Sequence, residues 1–103
     1  IGVGGAQRTP AAPDIPTFVE QGLGSYVVEA WFGVLGPKGM SAADVKRVHD
    51  ALSAAFNDPA VKEAMAKQGN TINVSTSEFA QNYFRSEKDK YAALVKKAGI
   101  ELQ

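Results

Sequence analysis

Residues 25–35 read Ser25-Tyr26-Val27-Val28-Glu29-Ala30-Trp31-Phe32-Gly33-Val34-Leu35, and the fold turns on this stretch. It is rich in β-branched and aromatic residues and is bounded by Gly24 on one side and Gly36-Pro37 on the other, which is how a strand is punctuated. Glu29 is its only charge. A strand with one wet face alternates apolar and polar side chains, whereas a strand covered on both faces is apolar almost throughout. The stretch is of the second kind, so the expected setting is an α/β sheet with helices laid over it. Adjacent side chains on an extended chain point to opposite faces. Of Trp31 and Phe32, one is therefore expected in a sheet–helix core and the other on the far side.

Toward the C-terminus the sequence predicts three helices. Ser41 is the candidate N-cap of the first, with Asp44 in its first turn, and Val45, Val48, Leu52, Ala55 and Phe56 recur at helical spacing. Asn57-Asp58-Pro59 ends that helix and caps the second, with Pro59 at its first position; Val61, Ala64 and Met65 form the apolar face, and Gly69 closes it. Residues 71–74 (Thr-Ile-Asn-Val) are short and β-branched, a second strand candidate. Ser75 with Glu78 predicts a capping box for a third helix that runs to Ala98 and stops at Gly99. Its stripe of Phe79, Tyr83, Tyr91, Leu94 and Val95 is expected in the core. Lys88, Lys90, Lys96 and Lys97, with Glu87 and Asp89, are expected on a solvated face.

Toward the N-terminus, residues 16–21 predict one short helix, with Pro16 in its first turn and Gly22 or Gly24 as its stop. Residues 7–16 hold three of the chain's five prolines, so they are expected to be extended and irregular. Residues 1–6 are expected to be a strand end running into a glycine-softened loop. Gly2-x-Gly4-Gly5 lacks the third glycine and the following helix of a phosphate-binding loop, and is expected to be a plain turn.

The bulk composition restricts the function classes. The chain has 103 residues, enough for one domain or part of one. Its first residue is Ile1, not Met, and the expectation is that it continues a longer precursor. Eleven basic residues balance eleven acidic ones, which argues against a nucleic-acid footprint and against a polybasic membrane-surface role. The longest apolar run, residues 30–35, is far short of a membrane span. There are no cysteines and one histidine, so neither a thiolate metal site nor a catalytic constellation of converging titratable groups is in view. No cofactor and no metal are expected. His49, flanked by Lys46, Arg47 and Asp50 and off the apolar stripe of its helix, is expected to be a solvated surface side chain.

Three polar residues of the N-terminal arm have binding chemistry. Arg8 offers a bidentate fork to a carboxylate, either that of an organic acid or, as a surface salt bridge, that of Asp14. Asp14 before Ile15-Pro16 suits an Asx-turn or a cap for the short helix. Thr17 lies in the first turn of that helix, where free amides favour anions.

The order of these segments resembles the C-terminal part of the Bug family of periplasmic receptors, the TctC-like receptors of tripartite tricarboxylate transporters. The residues that carry the resemblance are Pro13-Asp14-Ile15-Pro16-Thr17-Phe18-Val19-Glu20-Gln21-Gly22, then Trp31-Phe32-Gly33-Val34-Leu35-Gly36-Pro37, the Asn57-Asp58-Pro59-Ala60-Val61 junction, the cap from Ser75 to Phe79, and Lys97-Ala98-Gly99-Ile100. Gly36 stands where the family usually has Ala, and a Ser or Thr is common near Gly4-Gly5. The resemblance implies an α/β fold, helix-rich with few strands: the C-terminal portion of a two-lobed, type II-like periplasmic binding protein of the Venus-flytrap kind. Residues 1–26 would end the second lobe, residues 27–40 would be the interlobe crossover strand and loop, and residues 41–103 would complete the first lobe. It implies a periplasmic, non-enzymatic receptor for a small carboxylated metabolite, an organic acid or amino acid, delivered to transporter membrane subunits. The expected ligand contacts are Arg8, Asp14, Thr17, Trp31 and Phe32. A chain holding only this portion is expected to stay with its missing N-terminal part or to self-associate. The alternative reading is a free-standing helical interaction module with no ligand.

Overall fold

The computed structural model describes residues 1–101. Three helices follow one another along the chain: α1 (Ala42–Asn57), α2 (Pro59–Lys67) and α3 (Ser77–Ala98). Their ends are set by short-range capping. The Ser41 hydroxyl accepts from the Asp44 amide at 3.1 Å, capping α1, and donates to the Asp44 carboxylate at 2.7 Å, which holds the hydroxyl in place. Asp58 serves two helices at once. Its own amide donates to the Ala55 carbonyl and closes α1, while its carboxylate accepts from the Ala60 amide at 2.8 Å and opens α2. At the start of α3, Thr76 rather than Ser75 is the cap, its hydroxyl accepting from the Phe79 amide at 3.1 Å; the Ser75 hydroxyl turns instead to the Thr76 carbonyl. Lys96 and Lys97 occupy the last turn, and Gly99 ends α3 in the left-handed region at φ 68°, which favours glycine.

The expected short helix of residues 16–21 is reduced to a single hydrogen-bonded turn. Thr17 caps it through its hydroxyl to the Glu20 amide (3.1 Å), and the Glu20 carboxylate reaches back to the Thr17 amide (2.7 Å). At the other end the Gly22 amide donates to the Val19 carbonyl and the Leu23 amide to the Phe18 carbonyl. That is the two-bond stop that needs a left-handed residue, here Gly22 at φ 98°. Both caps sit so close that no room is left for a second turn.

The strand expectation for residues 25–35 is not met among the described residues. The segment runs without regular pairing, and one ladder-type bond, from the Val28 amide to the Gly4 carbonyl at 2.8 Å, holds its start. Residues 71–74 pair with nothing regular either. At the N-terminus Val3 forms a parallel bridge to Thr17. A strand exists only through its neighbours, and the described chain supplies too few of them. The close approach at Gly4 has a plain cause: a Cβ there would meet the Val28 carbonyl oxygen at 2.7 Å. At Gly2 and Gly5 the nearest atoms are side chains, of Gln21 and Glu29.

α1 and α2 pack on each other, and His49 ties α1 to the approach of α3 by donating from Nε2 to the Ser75 carbonyl at 2.8 Å. A carbonyl only accepts, so this nitrogen carries the proton. His49 is thus half-buried and engaged, not the free solvated side chain the sequence suggested. The expected aromatic core of α3 is also absent: Phe79 is 54% exposed and Tyr91 is half-exposed, while Glu87, read as part of a solvated face, is the one buried residue of the helix. No apolar side chain among the described residues is fully buried. The accessible surface is 8628 Å², against about 5,600 Å² for a compact protein of this mass. The radius of gyration is 16.8 Å, against about 13 Å for a compact domain of this length.

That much open apolar surface is a strong drive to association. The 103-residue chain expressed by itself is expected to sediment as an associated species. A monodisperse, cooperatively melting monomer of 10.9 kDa would contradict this.

Candidate functional site

Two clusters of side chains hold the segments that the sequence singled out. The first is built on the proline-rich arm. The Arg8 guanidinium faces Glu20, with Nε 3.1 Å from each carboxylate oxygen and Nη2 at 2.9 Å from Oε1, and its remaining Nη1 donates to the Pro13 carbonyl at 3.1 Å. The partner of Arg8 is therefore Glu20, not Asp14. Asp14 is exposed and does not cap the turn; Thr17 does, three residues further on. Thr17 is 2% exposed, and its amide and hydroxyl are both engaged by Glu20. The anion expected at these amides is thus supplied from within the chain, by the Glu20 carboxylate. The hydrogen bonds from the Arg8 side chain, and after them the Thr17 amide, pull the Glu20 carboxyl down from 4.5 to about 2. The same hydrogen bonding to Glu20 raises the Arg8 guanidinium.

The second cluster joins residues 27–31 to α3. The Trp31 ring stands edge-on to Tyr83 at 5.6 Å and to Phe84 at 5.9 Å. Its Nε1 donates to the Glu87 carboxylate at 3.3 Å. Lys90, one turn on, lies 3.5 Å from the other Glu87 oxygen and donates to the Val27 carbonyl at 3.3 Å. Glu87 is 8% exposed, so the charge is out of water, which is tolerable only with donors of this kind. Burial, and then the nearby Glu87 charge, raise the Tyr83 hydroxyl. Trp31 is 37% exposed, while Phe32 beside it is 91% exposed and points away.

The structure brings Arg8 and Thr17 together around Glu20 and places Trp31 apart from them on α3. Of the five candidate residues, Phe32 and Asp14 present open side chains, and Phe32 is the only aromatic among them that does so. A broad groove of about 550 Å³ lies elsewhere, between Met40, Val45, His49 and Thr76, and contains none of the five. Sequence reasoning missed two residues, Glu20 and Glu87. The first had a local signal, since a Thr followed three residues later by Glu is a capping-box pattern; the second had none, because its burial depends on a residue 56 positions away.

A sequence model of the family described as "Tripartite tricarboxylate transporter family receptor" matches residues 1–100. The chain belongs to this family. The protein BugT of Bordetella pertussis is 29% identical over 98 residues, which is 95% of this chain and 30% of that protein. A protein encoded in the tcbD-tcbE intergenic region of Pseudomonas sp. strain P51 is 31% identical over 96 residues, 92% of this chain and 29% of that one. The structure of the periplasmic binding protein BugD superposes with a TM-score of 0.82 at 32% identity, covering 99% of this chain and 35% of BugD. The chain thus spans about a third of the length of these relatives. Its fold, helix-rich with almost no paired strand, is that of a portion of such a protein.

A carboxyl whose folded pKa is depressed stabilises the fold above its ordinary pKa, and that contribution fades as pH falls through the folded value. The Arg8–Glu20 clamp should be intact above pH about 4.5 and loosen as pH approaches about 2. In a carbon-detected NMR titration the Glu20 carboxyl should titrate near 2 and move back up in Arg8→Ala. A wild-type midpoint at the ordinary value of about 4.3 would mean that the clamp does not persist in solution.

Proposed function

We propose that the chain is the C-terminal part of a periplasmic solute-binding receptor. The receptor captures a small carboxylated metabolite and presents it to the membrane subunits of a tripartite tricarboxylate-type transporter. The observation that carries this reading is the superposition on BugD, which extends over nearly the whole chain at an identity above the level where fold alone is shared. In this reading residues 1–26 end the second lobe, residues 27–40 cross between lobes, and residues 41–103 complete the first lobe. The apolar surface left open here is then the surface on which the remainder of the receptor sits. A receptor of this kind binds and releases its ligand unchanged, so it is a carrier rather than an enzyme.

Of the ligand contacts in this reading, Phe32 offers an open aromatic face for the apolar part of the metabolite. Arg8 and Thr17 act through the clamped arm, which holds the loop at a fixed shape, and Asp14 sits exposed on that loop. Trp31 contributes mainly by anchoring the crossover. Closing two lobes over a ligand excludes water and strengthens each hydrogen bond to it.

The test is a thermal-shift series on the protein expressed from its complete reading frame, against small mono-, di- and tricarboxylates and acidic amino acids. A ligand at one hundred times its Kd should stabilise the receptor by about 2.7 kcal/mol, and Phe32→Ala should weaken that ligand about tenfold, as loss of a well-placed aromatic contact does. No stabilisation by any member of the series would overturn the receptor reading.

A further inference from the structure

We propose that Glu87 is a positioning residue that decides which way Phe32 faces. The starting point is geometric. Residues 27–35 are extended and mostly unpaired, so hydrogen bonding to neighbouring strands does not fix which side chains turn inward among the described residues. In such a chain a slip of one position exchanges the two faces. With Trp31 and Phe32 adjacent, that slip would put Phe32 against α3 and Trp31 outside. Both are large aromatics, and apolar burial alone distinguishes them poorly. What separates them is the indole N–H, which Phe lacks.

Glu87 reads that difference. Its carboxylate is nearly buried and sits where the Trp31 indole can donate to it at 3.3 Å, between the Tyr83 and Phe84 rings that receive the indole edge-on. With Phe32 in that place, a buried carboxylate oxygen would lose a donor, which costs far more than the exchange of one ring for another. Lys90 sets the same register a second time. It pairs with Glu87 and donates to the Val27 carbonyl, four residues before Trp31, so the segment is held on α3 at two points. With Trp31 seated, Phe32 beside it stands on the open side, almost fully exposed. The use of Phe32 as a ligand contact rests on the receptor reading above; the seating of Trp31 by Glu87 does not.

The experiment follows the Trp31 indole N–H by NMR in the complete protein, assigned from its loss in Trp31→Phe. In Glu87→Gln the amide oxygen still accepts from the indole. The N–H should keep its slow hydrogen exchange within about twofold, and the contacts from the Trp31 ring to Tyr83 and Phe84 should remain. In Glu87→Leu the acceptor is gone; exchange should quicken at least about tenfold, the loss of one hydrogen bond to a charged group, and the ring contacts should vanish. Should Glu87→Leu fail to fold, Glu87→Asp keeps the charge but withdraws it by one methylene, and the same acceleration is expected. Unchanged exchange and ring contacts in the Leu or Asp variant would overturn the proposal. No ligand enters this test, so its failure is distinct from a failure of the carboxylate series.

Discussion

A carboxylate taken out of water must find donors, and the placement of the Glu87 carboxylate organises the second half of this chain. Without it, α3 would be joined to residues 27–31 by aromatic edges and the single Lys90–Val27 hydrogen bond. With Trp31 donating to one oxygen and Lys90 beside the other, the charge is satisfied and residues 27–31 are tied to α3. Removing either donor would leave a charge buried with less than it needs, which is more costly than the bond itself. Few contacts elsewhere fix the segment: its backbone has one ladder-type bond, and most of its apolar side chains are open.

A second carboxylate performs the same service at the N-terminal arm, by a different route. Glu20 is solvent-accessible, but it gathers the Arg8 fork and the Thr17 amide onto one group. Arg8 also holds the Pro13 carbonyl, so a proline-rich loop with no regular structure acquires a definite shape. The arrangement uses up the chemistry that the sequence offered for binding an external anion.

That no apolar side chain among the described residues is fully buried gives both clusters their importance. A domain usually draws its stability from side chains sealed inside it, and here Phe32, Val34 and Leu35 remain largely exposed. The chain spans about a third of the length of its relatives, and the receptor reading proposed above would cover these surfaces with the remainder of such a protein. The apolar run at residues 25–35 keeps the composition of a doubly covered strand although only Tyr26 and Trp31 among its aromatics find ring partners.

The sequence by itself determined the helices and most of their ends, because a cap is a contact between residues three positions apart. Ser41 with Asp44, Asp58 before Pro59 and Gly99 after Ala98 were all legible for that reason, and Thr76 displaced Ser75 by a single position within the same local competition. The family was legible too, through the ordered spacing of its motifs. Tertiary structure decided the rest. Glu20 rather than Asp14 receives Arg8 because the arm folds back on itself across twelve residues. His49 is engaged because the approach to α3 passes over α1. Glu87 is buried because Trp31 and Lys90 close over it, whereas Phe79, two turns earlier and stacked only on Tyr83, stays 54% exposed. No periodicity encodes such choices: a strand needs a neighbour and a buried charge needs a donor, and both come from residues distant in the chain.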